Sequence, residues 1–285
     1  MKAENLFQSL DNEFEIDKID EDEWGIFDLG EYVTESFRRT RKGLILDFTS
    51  EVERVYTAVF PSESVLDKIL ESDVKDALLF THHPMIWDST TGGFPFTNIP
   101  MQYVSELKER RISYYAIHVP LDKNGPYSTT ASLAHALEIE KESEFFEHYG
   151  VKVGIIGKTK CESIFDLSNH VKVTVGHQLK IWANGPSTID NGKVALVAGG
   201  GNYPEIAEEL AETDIRTYIT GVTMQNPDYE PSLRFHEICR KHEINVIAAT
   251  HYSTEKFACI EIQKFFEDRG LPSEFVEDAP AFSDY

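Results

Sequence analysis

The sequence predicts an α/β fold, and three observations carry that prediction. From about residue 43 onward, apolar runs of strand length alternate with amphipathic runs of helix length, the pattern of strands covered by helices. Three of the apolar runs give way to histidine, at His82-His83, His118 and His251. The 285-residue chain is 41% hydrophobic, with 18 Phe and 12 Tyr, so it can bury a core without disulfide staples.

The elements follow in order. Residues 1–30 read as a short helix and then an acidic segment, with Leu6, Leu10, Phe14 and Ile16 as packing positions and no assigned chemistry. GLILDF (43–48), RVYTAVF (54–60), DALLFTHH (76–83) and SYYAIHV (113–119) read as strands, with helices at 62–72 and 100–110. Ser62 or Ser64 is placed to cap the first of these helices. A middle region holds a helix at 128–138, a strand at 151–157, a helix at 162–170 and strands at 179–183 and 193–198. The last third runs helix 203–212, strand 215–220, helix 231–242, strand 245–249 and helix 254–270, then an irregular tail. We read 1–285 as one domain in which 125–200 leaves room for a second lobe.

Charge excludes several partner classes. Lys and Arg total 27 against 49 Asp and Glu, a formal net charge of −22, so the average field repels phosphate backbones and anionic lipid surfaces. Nucleic acid is therefore a poor partner, and the acidity reads as a solvated surface. The N-terminal stretch has no apolar run behind a basic start, so neither a signal peptide nor a membrane span is expected, and cytoplasm is the expected compartment. Cys161, Cys239 and Cys259 form no CxxC pair and read as small buried residues in a reducing compartment.

The chemistry sits at the strand ends. His82-His83 follows ALLF and precedes Pro84; His118 follows YYAI and precedes Pro120 and Asp122; His251 follows VIAA and precedes Glu255. In an open α/β sheet the carboxyl ends of parallel strands share one edge, where ligands bind. Three such ends are expected to gather six ligand-type side chains. Pro84 and Pro120 should push His83 and Val119 toward extended backbone. Imidazole and carboxylate donors suit divalent Zn, Mn, Fe or Ni, and four His with two carboxylates suit two ions better than one. One such histidine alone is more often a satisfied polar residue. Two adjacent His plus two His-x-x-x-carboxylate pairs, all after apolar runs, outweigh that reading.

Other features take plainer readings. His135, His148, His170, His177, His236 and His242 lack the strand-end context and are left out of the site. Gly199-Gly200-Gly201 opens a helix after VALVA without the Lys-Ser/Thr of a P-loop, so it reads as a close backbone approach or tight turn in preference to a phosphate cradle.

THHPMIW (81–87), AIHVPLD (116–122) and THYSTE (250–255) closely resemble the Nif-three-like family, homologues of GTP cyclohydrolase I type 2, with looser similarity over about 43–280. The resemblance implies mixed sheets flanked by helices in two packed lobes around a metal cleft. It also implies a toroidal homohexamer, with His82, His83, His118 and His251 as terminal ligands and Asp122 and Glu255 as bridges between two divalent ions. This chain departs from the family pattern in three places: it lacks a Trp-Asp-Asn-like N-terminal stretch, Val222 follows Gly221 where an acidic residue is usual, and Thr250 stands where Gly is usual. The expected function is a dinuclear-metal-dependent hydrolase that activates water against a small-molecule phosphoester, purine ring or amide. The alternative is a non-catalytic metal-binding regulatory or scaffold protein that acts through protein partners.

Overall fold

A computed structural model of the chain describes residues 1–21, 24–90, 93–227 and 229–285. The elements run α1 (Ala3–Glu13), α2 (Glu35–Thr40), β1 (Gly43–Leu46), β2 (Arg54–Ala58), α3 (Glu63–Glu71), β3 (Ala77–Thr81), β4 (Ile86–Trp87) and β5 (Phe96–Thr97). Next come α4 (Met101–Glu109), β6 (Ile112–Ala116), α5 (Val119–Asp122), α6 (Thr129–Ala136), β7 (Glu140–His148), β8 (Val151–Lys158), α7 (Ile164–Val175) and β9 (Lys180–Trp182). Last are β10 (Lys193–Val197), α8 (Pro204–Ala211), β11 (Thr217–Thr220), α9 (Glu230–Lys241), β12 (Asn245–Ala248), α10 (His251–Glu261), α11 (Gln263–Glu267) and β13 (Ser273–Phe275). The result is the mixed α/β architecture that the alternating pattern predicts.

The chain divides into two compact units. The first comprises 1–88, 95–121 and 259–279, and the second 89–94, 122–258 and 280–285. In the first, a five-stranded sheet has the order β1-β6-β3-β2-β13. Its β13, β2, β3 and β6 are parallel and β1 is antiparallel to β6. Every residue of β3 and β6 is buried, which explains why both read as continuous apolar runs. Helix α3 supplies Val65, Leu66, Ile69 and Leu70 to the core at helical spacing, and Ser62 caps it by accepting from Val65 N.

In the second unit a six-stranded sheet has the order β7-β8-β10-β11-β12-β9, parallel among β10, β11 and β12. Both faces of its central strands β10, β11 and β12 are buried. Val194, Leu196, Ile219 and Ile247 join one apolar cluster, whereas Ala195, Val197, Tyr218 and Val246 join the other, as the two-residue period of a strand requires. Ser128 and Ser163 cap α6 and α7.

Three expectations need correction. The histidine-terminated strands do not belong to one sheet: β3 and β6 lie in the five-stranded sheet and β12 in the six-stranded one. Pro120 does not hold Val119 out of a helix, because it falls in the first turn of α5, where a missing N–H costs no hydrogen bond. The last long helix starts at His251, three residues before the expected 254, and gives way to α11 at Ile262. Among the described residues no helix is long and apolar enough to cross a membrane. Cys239 and Cys259 are buried and Cys161 is half-buried, all as free thiols.

Candidate metal centre

In the first unit the parallel register pairs Thr81 with Ala116, so the chain leaves β3 and β6 at the same edge. His82 and His83 follow one strand and His118 the other. The peptide is pinned there: His82 N donates to Ala58 O at 3.2 Å, His83 N to Val59 O at 3.0 Å and Ile117 N to Thr81 O at 3.2 Å. The hydroxyls of Thr81 (2.6 Å) and Tyr114 (3.1 Å) both donate to the His83 carbonyl. His82, His83 and His118 each offer a ring nitrogen within 4.8 Å of the others. Nitrogens that share a zinc ion at about 2.0–2.1 Å stand on the order of 3–4 Å apart, so the spacing is near what a common ion requires. His82 is 0% and His83 1% exposed.

Aromatic rings wall this cluster. Phe60 and Phe96 stack on His83 with centroids 4.6 and 5.3 Å away, and Trp24 meets His118 edge-on at 5.1 Å. Such walls exclude water and raise the strength of any electrostatic interaction within them. The ring orientations are also fixed by acceptors. His82 Nδ1 lies 3.0 Å from Ile117 O, and because a carbonyl only accepts, Nδ1 is the donor. His118 Nδ1 lies 3.1 Å from Glu21 Oε1, which also accepts from Trp24 Nε1 at 2.7 Å, while Val119 N donates to Oε2 at 3.3 Å. Burial, the largest single influence, pushes the Glu21 carboxyl up, but the bonds from His118 and Trp24 and the charges of His118 and Lys42 together hold it below the usual range. Glu21 belongs to the segment to which the sequence assigned no chemistry. Its signal, a lone Trp three residues after an acid in an acidic run, is weak.

In the second unit, helical i,i+4 spacing puts His251 and Glu255 on one face of α10, with Nε2 and Oε1 3.1 Å apart and both side chains buried. The preceding Thr250 has φ +62°, a left-handed conformation that a β-branched residue rarely adopts. Its hydroxyl oxygen accepts from Ser253 N at 3.3 Å and so caps the helix. Asp284, fully buried in the tail, accepts from His251 N at 2.8 Å. A carboxylate there also favours the positive end of the α10 dipole. Sequence reasoning missed this residue entirely.

Gly199 has φ +73°, and a Cβ on it would stand 2.0 Å from Glu255 Oε1 and 3.2 Å from His251 Nε2. Gly199 N donates to Thr254 Oγ1 at 2.9 Å, and a Cβ on Gly201 would meet Thr220 Oγ1 at 2.2 Å. Gly199 is thus a close backbone approach to α10 and Gly201 one to β11, whereas a Cβ on Gly200 would meet nothing within 4 Å; the close approach that the sequence reading preferred holds at the first and third glycines. Asp122 accepts from Thr129 Oγ1 at 2.6 Å. The structure therefore brings together His82, His83 and His118 in one unit, and His251 and Glu255 in the other, where Asp122 also lies.

Three of the excluded histidines have partners of their own. His236 Nε2 meets Thr223 O at 2.7 Å, His170 Nε2 meets Leu137 O at 3.0 Å, and His177 Nε2 meets Ser253 Oγ at 2.8 Å. Among the described residues, none of them joins a metal-capable group.

Comparison with known proteins identifies the family and the fold. The sequence profile described as Duf34/NIF3 (NGG1p interacting factor 3) matches residues 36–278. A Pyrococcus horikoshii protein named GTP cyclohydrolase 1 type 2 homolog is 27% identical over 231 residues, which cover 79% of this chain and 86% of that protein. Among solved structures, the protein TTHA1606 from Thermus thermophilus superposes with a TM-score of 0.70 at 24% identity, covering 99% of this chain and 100% of that one. The protein ybgI, titled as of unknown function, superposes at 0.74 with 20% identity and covers 99% and 100%. At these identities the two structures establish the fold.

Proposed function

The chain belongs to the Duf34/NIF3 (NGG1p interacting factor 3) family, and on that premise we propose that His82, His83, His118, Asp122, His251 and Glu255 together hold two divalent metal ions in a hydrolase. The observation that carries the reading is the triad His82, His83 and His118, with its ring nitrogens within 4.8 Å of one another. Three neutral imidazoles fill most of one coordination sphere, and a further imidazole and two carboxylates suit a second, shared one. This donor set fits Zn, Mn, Fe or Ni. Bound there, such ions would supply Lewis acidity toward a substrate oxygen and acidify water toward a pKa of about 7.

The chain's own residues set the conditions for that chemistry. Trp24, Phe60 and Phe96 keep water off the imidazoles. Ile117 O and Glu21 fix two of the rings, which spares their reorientation when ligand arrives. Thr129 holds one oxygen of Asp122 by a hydrogen bond.

The test is turnover by protein loaded separately with each of the four metals, against phosphoesters, GTP and other purines, and amides. GTP enters the panel because relatives carry the name GTP cyclohydrolase 1 type 2 homolog. Metal-dependent release of one product, abolished by His83→Ala, is the expected result. Metal-loaded protein that turns over nothing in the panel would favour the scaffold reading. Homohexamer formation belongs to the same proposal, and sedimentation of the purified chain checks it.

A further inference from the structure

The N-terminal acidic segment carries one residue that its sequence disguises. We propose that Glu21 is a positioning residue for metal binding: it holds His118 with Nδ1 protonated and Nε2 presented to the ion, and its charge makes that imidazole a stronger ligand. This rests on metal ligation by His82, His83 and His118.

An acidic side chain in a run such as Asp17 to Glu23 ordinarily lies in water. The Glu21 side chain is instead 0% exposed. A buried carboxylate without partners is costly, and this one has three donors: Trp24 Nε1 at 2.7 Å, His118 Nδ1 at 3.1 Å and Val119 N at 3.3 Å. Two of the three belong to His118 and the residue after it. Trp24 also packs edge-on against the His118 ring at 5.1 Å, so the same short segment supplies both the acceptor and the wall.

The consequence follows from hydrogen-bond chemistry. At neutral pH an ionised carboxylate only accepts, so the imidazole nitrogen that faces it must carry the proton. The lone pair is then on Nε2, the nitrogen on the far side of the ring. Ligating histidines commonly donate their second N–H to a carboxylate or a carbonyl, which fixes the tautomer and raises ligand basicity. Both versions occur side by side here, since His82 Nδ1 faces the neutral carbonyl of Ile117 at 3.0 Å and His118 Nδ1 faces a charged carboxylate. His118 is therefore the ligand with the stronger electrostatic support.

The experiment has two parts. The first needs no metal: long-range 15N–1H correlation spectra of histidine-labelled, metal-free protein at neutral pH, with the His118 signals identified by their loss in His118→Gln. The expected result is the Nδ1–H tautomer, and an Nε2–H tautomer overturns the proposal. The second is zinc affinity of wild type against Glu21→Gln, with thermal melting as a check on the fold. Gln keeps a carbonyl oxygen for Trp24 and His118 but removes the charge. Affinity should fall about 10–100-fold, the usual range for loss of such a partner, with little change in melting. A folded Glu21→Gln protein that binds zinc within about twofold of wild type overturns the role of Glu21 while leaving the metal reading intact. Wild type that binds no zinc overturns the metal reading itself. Should Glu21→Gln fail to fold, the tautomer spectrum of the wild type decides.

Discussion

The two units share a sequence feature, a buried parallel strand that gives way to histidine, but they secure the side chain by different physics. In the first unit His82 and His118 are held by acceptors, Ile117 O and Glu21, and walled by aromatic rings. In the second, His251 and Glu255 are held by helix periodicity and by a glycine backbone pressed against them. Hydrogen-bonded positioning keeps its geometry under conservative change at the acceptor, because another acceptor can stand in even where the charge is lost. Close packing is less forgiving, because a methyl group on Gly199 would have to displace the buried Glu255 carboxylate.

That contrast gives the largest expected effect. Gly199→Ala would force a Cβ to 2.0 Å from Glu255 Oε1 at a φ of +73°. Overpacking and left-handed strain together should cost about 2–4 kcal/mol in urea unfolding. A loss below about 0.5 kcal/mol, the ordinary range for surface changes, would show that the glycine is not a packing constraint.

Next in size are the proposed ligands. With Asp122 and Glu255 as bridges, Glu255→Gln or Asp122→Asn should weaken both ions by at least about 10–100-fold, whereas His83→Ala should weaken mainly one. Isothermal titration with zinc, alongside circular dichroism, separates the two patterns. Folded carboxylate variants that keep two ions at unchanged affinity would place Asp122 and Glu255 outside the coordination spheres.

A smaller effect distinguishes a structural histidine of the second unit from its neighbours in the site. His236 is buried against Trp182, with ring centroids 4.4 Å apart, and burial lowers its pKa below the ordinary value. The unfolded chain protonates this residue near pH 6.5, above the folded value, so the stability it contributes is complete above about pH 6.5 and declines as pH falls toward the folded pKa. His236→Gln, which can still donate to Thr223 O, should flatten the fall in melting temperature between about pH 7 and pH 5. An identical slope in the variant would assign the acid sensitivity elsewhere.

The smallest effect is predicted at Thr250. Thr250→Gly relieves a β-branched residue at φ +62° but removes the hydroxyl that caps α10. Strain and cap are each worth about 1 kcal/mol, so the net change in stability should stay within about 1 kcal/mol. A larger gain would mean that the cap contributes little.

Much of this organisation was legible in the sequence, and the exceptions have causes. Strands β3, β6, β10, β11 and β12 were readable because burial on both faces demands unbroken apolar runs. Strand β7, Glu140–His148, was not: it pairs only with β8 at the sheet edge, and its first five residues are exposed and mostly charged. The two-residue strands β4 and β5 and the three-residue β13 are too short to show a period. The histidines of the first unit were readable as a set because each follows an apolar strand. Which sheet each strand joins depends on tertiary pairing, and no local pattern carries it. Glu21 and Asp284 were hidden for another reason: each sits in an acidic or polar stretch, and only burial marks it out.

Metal content decides whether these donors form a two-ion site. Purified chain should be stripped, reloaded with zinc, manganese, iron or nickel in turn, desalted, and measured by elemental analysis against protein concentration. About two ions per chain, falling as the solution is acidified because protons compete with metal for the imidazole nitrogens, is the predicted result. Folded protein that retains no more than one ion per chain with every metal would contradict it.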